Sequence, residues 1–234
     1  ARAAGVTLDW RFLDGRRGLG PDLSYDPDEA VIFKGRPLSA GELGCYSSHY
    51  AAWTSFLQSP ATQLIVFEDD TIVDWTFVEK LARIDLQASG IGFLRLYAMD
   101  PGPCRRLLAN AVDFQRHLIE YSDRVFGGQA YVLTRAGAER LVGHCGAVRR
   151  PIDDELDRSW AHGLPNLCLF PFPVIAQSGV STIGLGRYDG YQVPAHLAGR
   201  RRRERIAELA RRAARRVYGL LPWTRPAIGP LKQS

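Results

Sequence analysis

A chain of 234 residues with 46% hydrophobic, 10% aromatic and 24% charged content has the composition of a globular enzyme and can bury one large core. Four scattered cysteines (Cys45, Cys104, Cys145, Cys168) form no C-x-x-C pair, which argues against a zinc ribbon or a disulfide framework and suits a reducing compartment; no apolar run reaches the length of a membrane span. The net charge of +5 is uneven: residues 200–216 carry +7 through nine Arg and two Glu, which leaves −2 for the rest.

In chain order the pattern alternates between strand and helix. GVTLDWRFLDG (5–15) has β-type alternation and ends at a Gly. PLSAGELGCYSSHYAAWTSFLQS (37–59) predicts a helix. Ser39 followed by Glu42 is a capping box, and Leu43, Tyr46, Tyr50, Trp53 and Leu57 recur at helical spacing. LIVF (64–67) reads as a short buried strand, and a helix follows Asp74 with Phe77, Val78, Leu81 and Ile84 inward. IGFLRLYAM and QAYVLT read as two more strands, after which Thr134 caps the helix RAGAERLVGHC. PIDDELDRSWAHG predicts a further helix between Pro151 and Gly163, and LCLFPFPVI is extended and broken by proline. This alternation predicts an α/β fold with a mostly parallel sheet and helices on both faces.

The segment LIVFEDD (64–70) runs from four apolar residues directly into Glu68, Asp69 and Asp70. Three adjacent carboxylates repel one another, so a positive partner is expected. Ligands of parallel sheets bind at the carboxyl ends of the strands. Acids placed there can chelate Mg²⁺ or Mn²⁺, which prefer carboxylate oxygens, and such a cation would neutralise a nucleotide diphosphate as it leaves. The alternative is a solvated turn.

Four ordered segments carry a more specific signal: LSAGELGCYSSHYAAW (38–53), LIVFEDD (64–70), FGGQAYVLTRAGAERL (126–141) and PIDDEL (151–156). Together they resemble glycosyltransferase family 25, the lipooligosaccharide galactosyltransferase group. The resemblance covers roughly residues 5 to 185. It implies a GT-A fold, a UDP-sugar donor (typically UDP-galactose), a metal ion, Mn²⁺ or Mg²⁺, held by a D-x-D-like motif, and inversion at the anomeric carbon. Glu68, Asp69 and Asp70 match the acidic triplet, with Asp70 the leading metal ligand. Glu68 or Asp69 would contact the ribose or the water shell of the metal, Glu68 being the second metal candidate. Ser48 and His49 match an S-H pair on the donor side, His49 having a structural alternative. Gly127 and Gly128 precede a strand, where a missing side chain permits either a donor sugar or an ordinary turn. Inverting transfer needs a base for the acceptor hydroxyl, and Asp153 or Asp154 is the candidate. Asp153 at a helix start could equally be a cap.

The sequence departs from the family at its start. The segment ARAAGVTLDW looks like the tail of a first helix, so the expected N-terminal strand is absent and the chain reads as a fragment or a misplaced gene start. Residues 1–195 are assigned to the transferase domain and residues 196–234 to a basic amphipathic helix and tail. Along that tail Ile206, Leu209, Ala210, Ala213, Val217 and Leu220 form an apolar stripe, with Leu221 and Trp223 beyond it. Residues 200–223 are therefore expected to lie on an anionic membrane surface, which suits a cytoplasmic enzyme peripheral to the inner face of a bacterial membrane and a lipid-linked lipopolysaccharide acceptor. Two other classes compete. A metal-dependent phosphohydrolase would also place acids after a strand, but the five His show no metal-type spacing. A non-catalytic saccharide- or nucleic-acid-binding domain is the second, and the acidic body argues against nucleic acid.

Overall fold

The structure, a computed structural model, describes residues 8–177, 190–221 and 224–231. Residues 1–7, the side chain of Leu220 and Trp223, all named above, lie outside the described residues. The first described strand is β1 (Ser24–Tyr25), followed by α1 (Pro27–Phe33), α2 (Ala40–Gln58), β2 (Gln63–Phe67), β3 (Thr71–Val73) and α3 (Trp75–Ala82). Then come β4 (Phe93–Arg95), β5 (Cys104–Leu108), β6 (His117–Tyr121), β7 (Ala130–Thr134), α4 (Arg135–His144) and β8 (Ala147–Val148). The chain continues through α5 (Ile152–Leu156), α6 (Ser159–His162), β9 (Leu167–Phe170), β10 (Val174–Ala176) and α7 (Ala195–Leu220).

The α/β class is as expected and the layout is GT-A-like, but the strand directions differ from the prediction. The main sheet has the order β2-β7-β4-β9-β6-β5, and within it only β4 and β9 run parallel. The reason is connectivity. A parallel pair needs a crossover of a dozen or more residues, usually a helix. From β4 to β7 four strands follow one another with no helix between them, and β5 folds back on β6 as an antiparallel pair. Sequence reading missed β5 and β6 because CRRLL and HLIEY look too polar for strands. Cross-strand pairing of Arg105 with Glu120 at 2.7 Å explains how that polarity is accommodated.

The fully buried strand β7 shows how the core divides. Tyr131 and Leu133 point to a cluster made with α2, α4 and α5, while Ala130 and Val132 point to a second cluster with α3. Helices thus cover both faces. In α2 the Ser39–Glu42 capping box forms as predicted, and Arg36 grips the same Glu42 carboxylate with two hydrogen bonds. Tyr46 and Trp53 of this helix are fully buried. Losing such an aromatic side chain costs about 3–5 kcal/mol.

Two predicted elements change. The segment 8–15 forms no strand, and it leaves Phe12 82% and Leu13 54% exposed, since alternation without a ladder partner makes no strand. The helix predicted from Pro151 to Gly163 breaks into α5 and α6 at Asp157 and Arg158. Asp157 is drawn inward to Arg95 and to two backbone N–H groups, which explains the break. Gly163, at φ 75°, ends α6 as expected.

Helix α7 lies against α1, with Leu197 packed on Val31 and Ile32. Arg201 donates to the carbonyls of Ile32, Phe33 and Lys34, satisfying acceptors at the end of α1. Arg212, Arg215 and Arg216 pair with Asp123 or Glu120 of the body, and Arg200 pairs with Glu29. The predicted apolar stripe faces outward, with Ile206 58%, Leu209 54% and Val217 62% exposed. Among the described residues no helix is long and apolar enough to cross a membrane.

Candidate active site

The strands β2, β4 and β9 run in one direction, because β2 and β4 both oppose β7 and β9 parallels β4. Their carboxyl ends therefore share one end of the sheet. The acids that follow β2 emerge there, and the Gly127–Gly128 turn leads into β7 at the same end.

His49 reaches this end from α2 and is buried. Its Nδ1 lies 2.7 Å from the Tyr131 hydroxyl and its Nε2 lies 3.3 Å from Glu68 Oε1. The Trp53 indole N–H donates to the same Tyr131 oxygen at 2.8 Å. Burial alone would lower the pKa of His49, but Tyr131, Cys45 and Glu68 outweigh it and hold it well above the usual value. Both ring nitrogens are thus engaged, and the imidazole is fixed in place.

Asp153 lies at the start of α5, against Gly128. A Cβ on Gly128 would sit 2.7 Å from Asp153 Oδ1, 3.7 Å from Glu68 Oε1 and 3.8 Å from His49 Cε1. The glycine is required by this approach, and around it the structure gathers Asp153, Glu68 and His49 from three elements. Burial, then the Glu68 charge, push the Asp153 carboxyl up to about 6, while His49 and Arg95 pull the other way. A carboxylate tuned to that range suits general base chemistry near neutral pH.

Beneath the turn lies a group that sequence reading missed. Arg95 is fully buried in β4. Its guanidinium donates to Asn166 Oδ1 at 2.7 Å, to Asp157 Oδ1 at 2.9 Å and to the carbonyl of Gly127. Asp157 Oδ2 accepts from the N–H groups of Val125 and Phe126. Phe126 and Gly127 have φ of 49° and 93°, so this network secures a left-handed turn beside Asp153. The available signal was an Arg inside the apolar run FLRLY, which must find partners once buried.

Asp69 and Asp70 are exposed in the turn between β2 and β3. Gln177 N–H donates to the Asp70 carbonyl at 2.7 Å, and the Thr71 hydroxyl donates to the Glu68 carbonyl at 2.7 Å. Partial burial, then Glu68 and Asp69, raise the Asp70 carboxyl above its usual range. A cation would relieve this repulsion, and the oxygen donors of Asp69 and Asp70 fit hard Mn²⁺ or Mg²⁺. Glu68 is turned toward His49. With Cys45 and His49 it offers ligand atoms within 4.8 Å of one another, a softer set better matched to zinc.

Two predicted residues stand apart. Ser48 accepts from Arg16 N–H and donates to the Gly44 carbonyl, which ties the loop before β1 to α2. Asp154 is buried and paired with Lys34 at 2.5 Å and Arg124 at 3.7 Å. Helical geometry turns it away from its neighbour Asp153.

The model of glycosyltransferase family 25 (LPS biosynthesis protein) matches residues 24–156, which include His49, Glu68, Asp70, Gly128 and Asp153. The chain is similar to human procollagen galactosyltransferase 2, 31% identical over 145 residues, covering 58% of this chain and 22% of that protein. It is also similar to a bovine protein named probable inactive glycosyltransferase 25 family member 3, 30% identical over 143 residues, covering 58% of this chain and 23% of the other. Procollagen galactosyltransferase 1-A of Xenopus laevis is 28% identical over 140 residues, 56% of this chain and 22% of its own length. The chain thus spans less than a quarter of the length of each of these relatives in the matched region. With more than half of its residues inside the family match, the chain belongs to glycosyltransferase family 25.

Proposed function

We propose that this chain transfers a hexose, galactose, from a UDP-sugar to a saccharide acceptor of lipopolysaccharide or lipooligosaccharide, with inversion. The observation that carries this reading is the convergence of Asp153, Glu68 and His49 on Gly128 beside the Asp69–Asp70 turn. Asp153 is the base. As the acceptor oxygen bonds to the anomeric carbon, its proton passes to the Asp153 carboxylate. The bond from the anomeric carbon to the β-phosphate oxygen breaks, and UDP leaves with that electron pair. One displacement from the opposite face inverts the centre. His49, fixed by Tyr131, orients Glu68 toward the donor. Asp70 with Asp69 would hold the divalent cation, Mn²⁺ or Mg²⁺, which when bound neutralises the diphosphate.

The acceptor is proposed to be lipid-linked, with the enzyme cytoplasmic and peripheral to the inner membrane face. Supporting this is α7, whose outer face combines exposed Ile206, Leu209 and Val217 with exposed Arg202, Arg203 and Arg205, none of these Arg having an ion-pair partner among the described residues. A second reading, a non-catalytic saccharide-binding domain, is favoured by the relative whose name marks it as probably inactive. The deciding experiment is release of UDP from UDP-galactose with Mn²⁺. Turnover by the wild type that Asp70→Asn abolishes supports the transferase. Saccharide binding with no UDP release under any donor supports the second reading.

A further inference from the structure

Three aromatic rings form a ladder that begins at the candidate site and runs outward. Tyr97 follows β4 at the shared carboxyl end of the sheet. A Cβ on Gly127 would sit 3.2 Å from Tyr97 Cδ1, so this ring borders the glycine turn. Burial and then the Asp70 charge raise the pKa of Tyr97, which places the phenol within the field of the acidic turn. Phe172 packs on Tyr97 edge to face at 5.9 Å, and Phe170 packs on Phe172 at 5.5 Å. Exposure rises along the ladder: Tyr97 and Phe172 are half-buried, while Phe170 is 46% exposed. Two residues beyond Tyr97, Met99 is 54% exposed and its N–H donates to the Phe126 carbonyl of the same turn.

A polar atom accompanies the rings. Gln129 Oε1 is buried, has no hydrogen-bond partner among the described residues, and would lie 2.9 Å from a Cβ on Gly127. Buried acceptors ordinarily have a donor.

We propose that Tyr97, Phe172 and Phe170 line the subsite of the acceptor saccharide, with the apolar C–H face of a pyranose ring lying on the exposed Phe170 and its edge against Phe172. This rests on the transferase reading and adds the acceptor subsite to it. Three features select a sugar over other occupants. The ladder is continuous with the turn that bears on Asp153. It offers exposed aromatic surface and, at the Gly127 turn, the unpaired Gln129 Oε1, which is what a ring with one apolar face and several hydroxyls requires. It also adjoins the acidic turn, since β10, two residues beyond Phe172, pairs with β3 directly after the acids, so that an acceptor on the ladder would lie beside a donor held there.

The test uses the full chain. Saturation-transfer NMR with methyl β-galactoside and methyl β-glucoside reads ring contact directly. Ring C–H protons of one face should saturate with the wild type, and the signal should fall at least threefold in Phe170→Ala and Phe172→Leu and return in Phe172→Tyr. In the transfer assay the same variants should raise the acceptor KM about three- to tenfold, the size of one lost ring contact. Titration with UDP separates donor from acceptor: an equal loss of UDP affinity would assign the ladder to the donor base and overturn the proposal. Wild-type UDP release with an unchanged acceptor KM and unchanged saturation in both variants would also overturn it. Absence of UDP release from the wild type, with saturation still lost in the variants, would sink the transferase reading and leave the saccharide platform standing.

Discussion

The Asp153 Oδ1 atom occupies the space directly over Gly128, 2.7 Å from where a side-chain carbon would begin. A methyl group cannot share that space, so Gly128→Ala must push Asp153, or the turn itself, out of place. A displacement of this kind near reacting atoms costs about 100-fold in rate. We expect kcat to fall by that order with little change in UDP affinity. A Gly128→Ala enzyme with wild-type kcat would show that Asp153 is not held against the reacting atoms.

Asp153→Asn removes the proton acceptor while keeping the shape. Transfer should drop at least 100-fold, with UDP binding by calorimetry unchanged. The pH dependence has a definite sign. A base must be ionised to act, and this carboxyl titrates at about 6. The wild-type rate should therefore rise tenfold per pH unit below that value and level off above it. A flat profile between pH 5 and 7 (about one unit to either side of the titration) would remove Asp153 from the role.

Arg95 and Asp157 form a fully buried ion pair, both side chains having no exposed surface. Deleting one partner strands the other in a low-dielectric interior and costs about 3–5 kcal/mol. Arg95→Met should shift the urea midpoint by that equivalent. The paired change Arg95→Met with Asp157→Leu should recover part of the stability while leaving activity low, because the Gly127 carbonyl still lacks its donor. Full recovery of activity in the double variant would show that the turn needs no such support.

For α7, replacing outward residues is a cleaner test than removing the helix. Leu197 is 4% exposed, Asp123 depends on Arg212 and Arg216 for partners, and Arg215 joins Arg105 on Glu120. The triple change Ile206→Ser, Leu209→Ser, Val217→Ser leaves those pairs intact. It should abolish sedimentation with vesicles rich in anionic lipid. Changing Arg202, Arg203 and Arg205 to Gln should weaken binding by about 1 kcal/mol each, about fivefold per residue. Equal sedimentation of all forms would take α7 out of membrane contact, and preference for duplex DNA over vesicles would replace the lipid with nucleic acid.

Local chemistry was legible in the sequence where it depends on neighbours in the chain. The Ser39–Glu42 box, the Thr134 cap and the β2 strand ending in acids all follow from spacings of a few residues. Strand direction was not legible, because antiparallel pairing was disguised by the charged β5 and β6. Nor was the choice between Asp153 and Asp154, which differ by one residue and about 100° around a helix. Only the fold shows one against Gly128 and the other paired with Lys34. Tyr131 carries no mark of its role within the strand QAYVLT; it is buried, and its hydroxyl is what fixes His49.

The contact between α7 and α1 imposes an order of events on synthesis. Arg201 bonds to Ile32 from 169 residues away, and Arg200 meets Glu29 across 171. The ribosome delivers α1 and Asp123 well before the helix that satisfies them. Until α7 emerges, Asp123 lacks Arg212 and Arg216, Arg124, Arg150 and Arg158 lack Glu208, and the carbonyls that end α1 face water. The last described helix therefore acts as the closing latch of folding, and a growing chain stalled before residue 200 would display unmatched charges of both signs that the finished protein pairs.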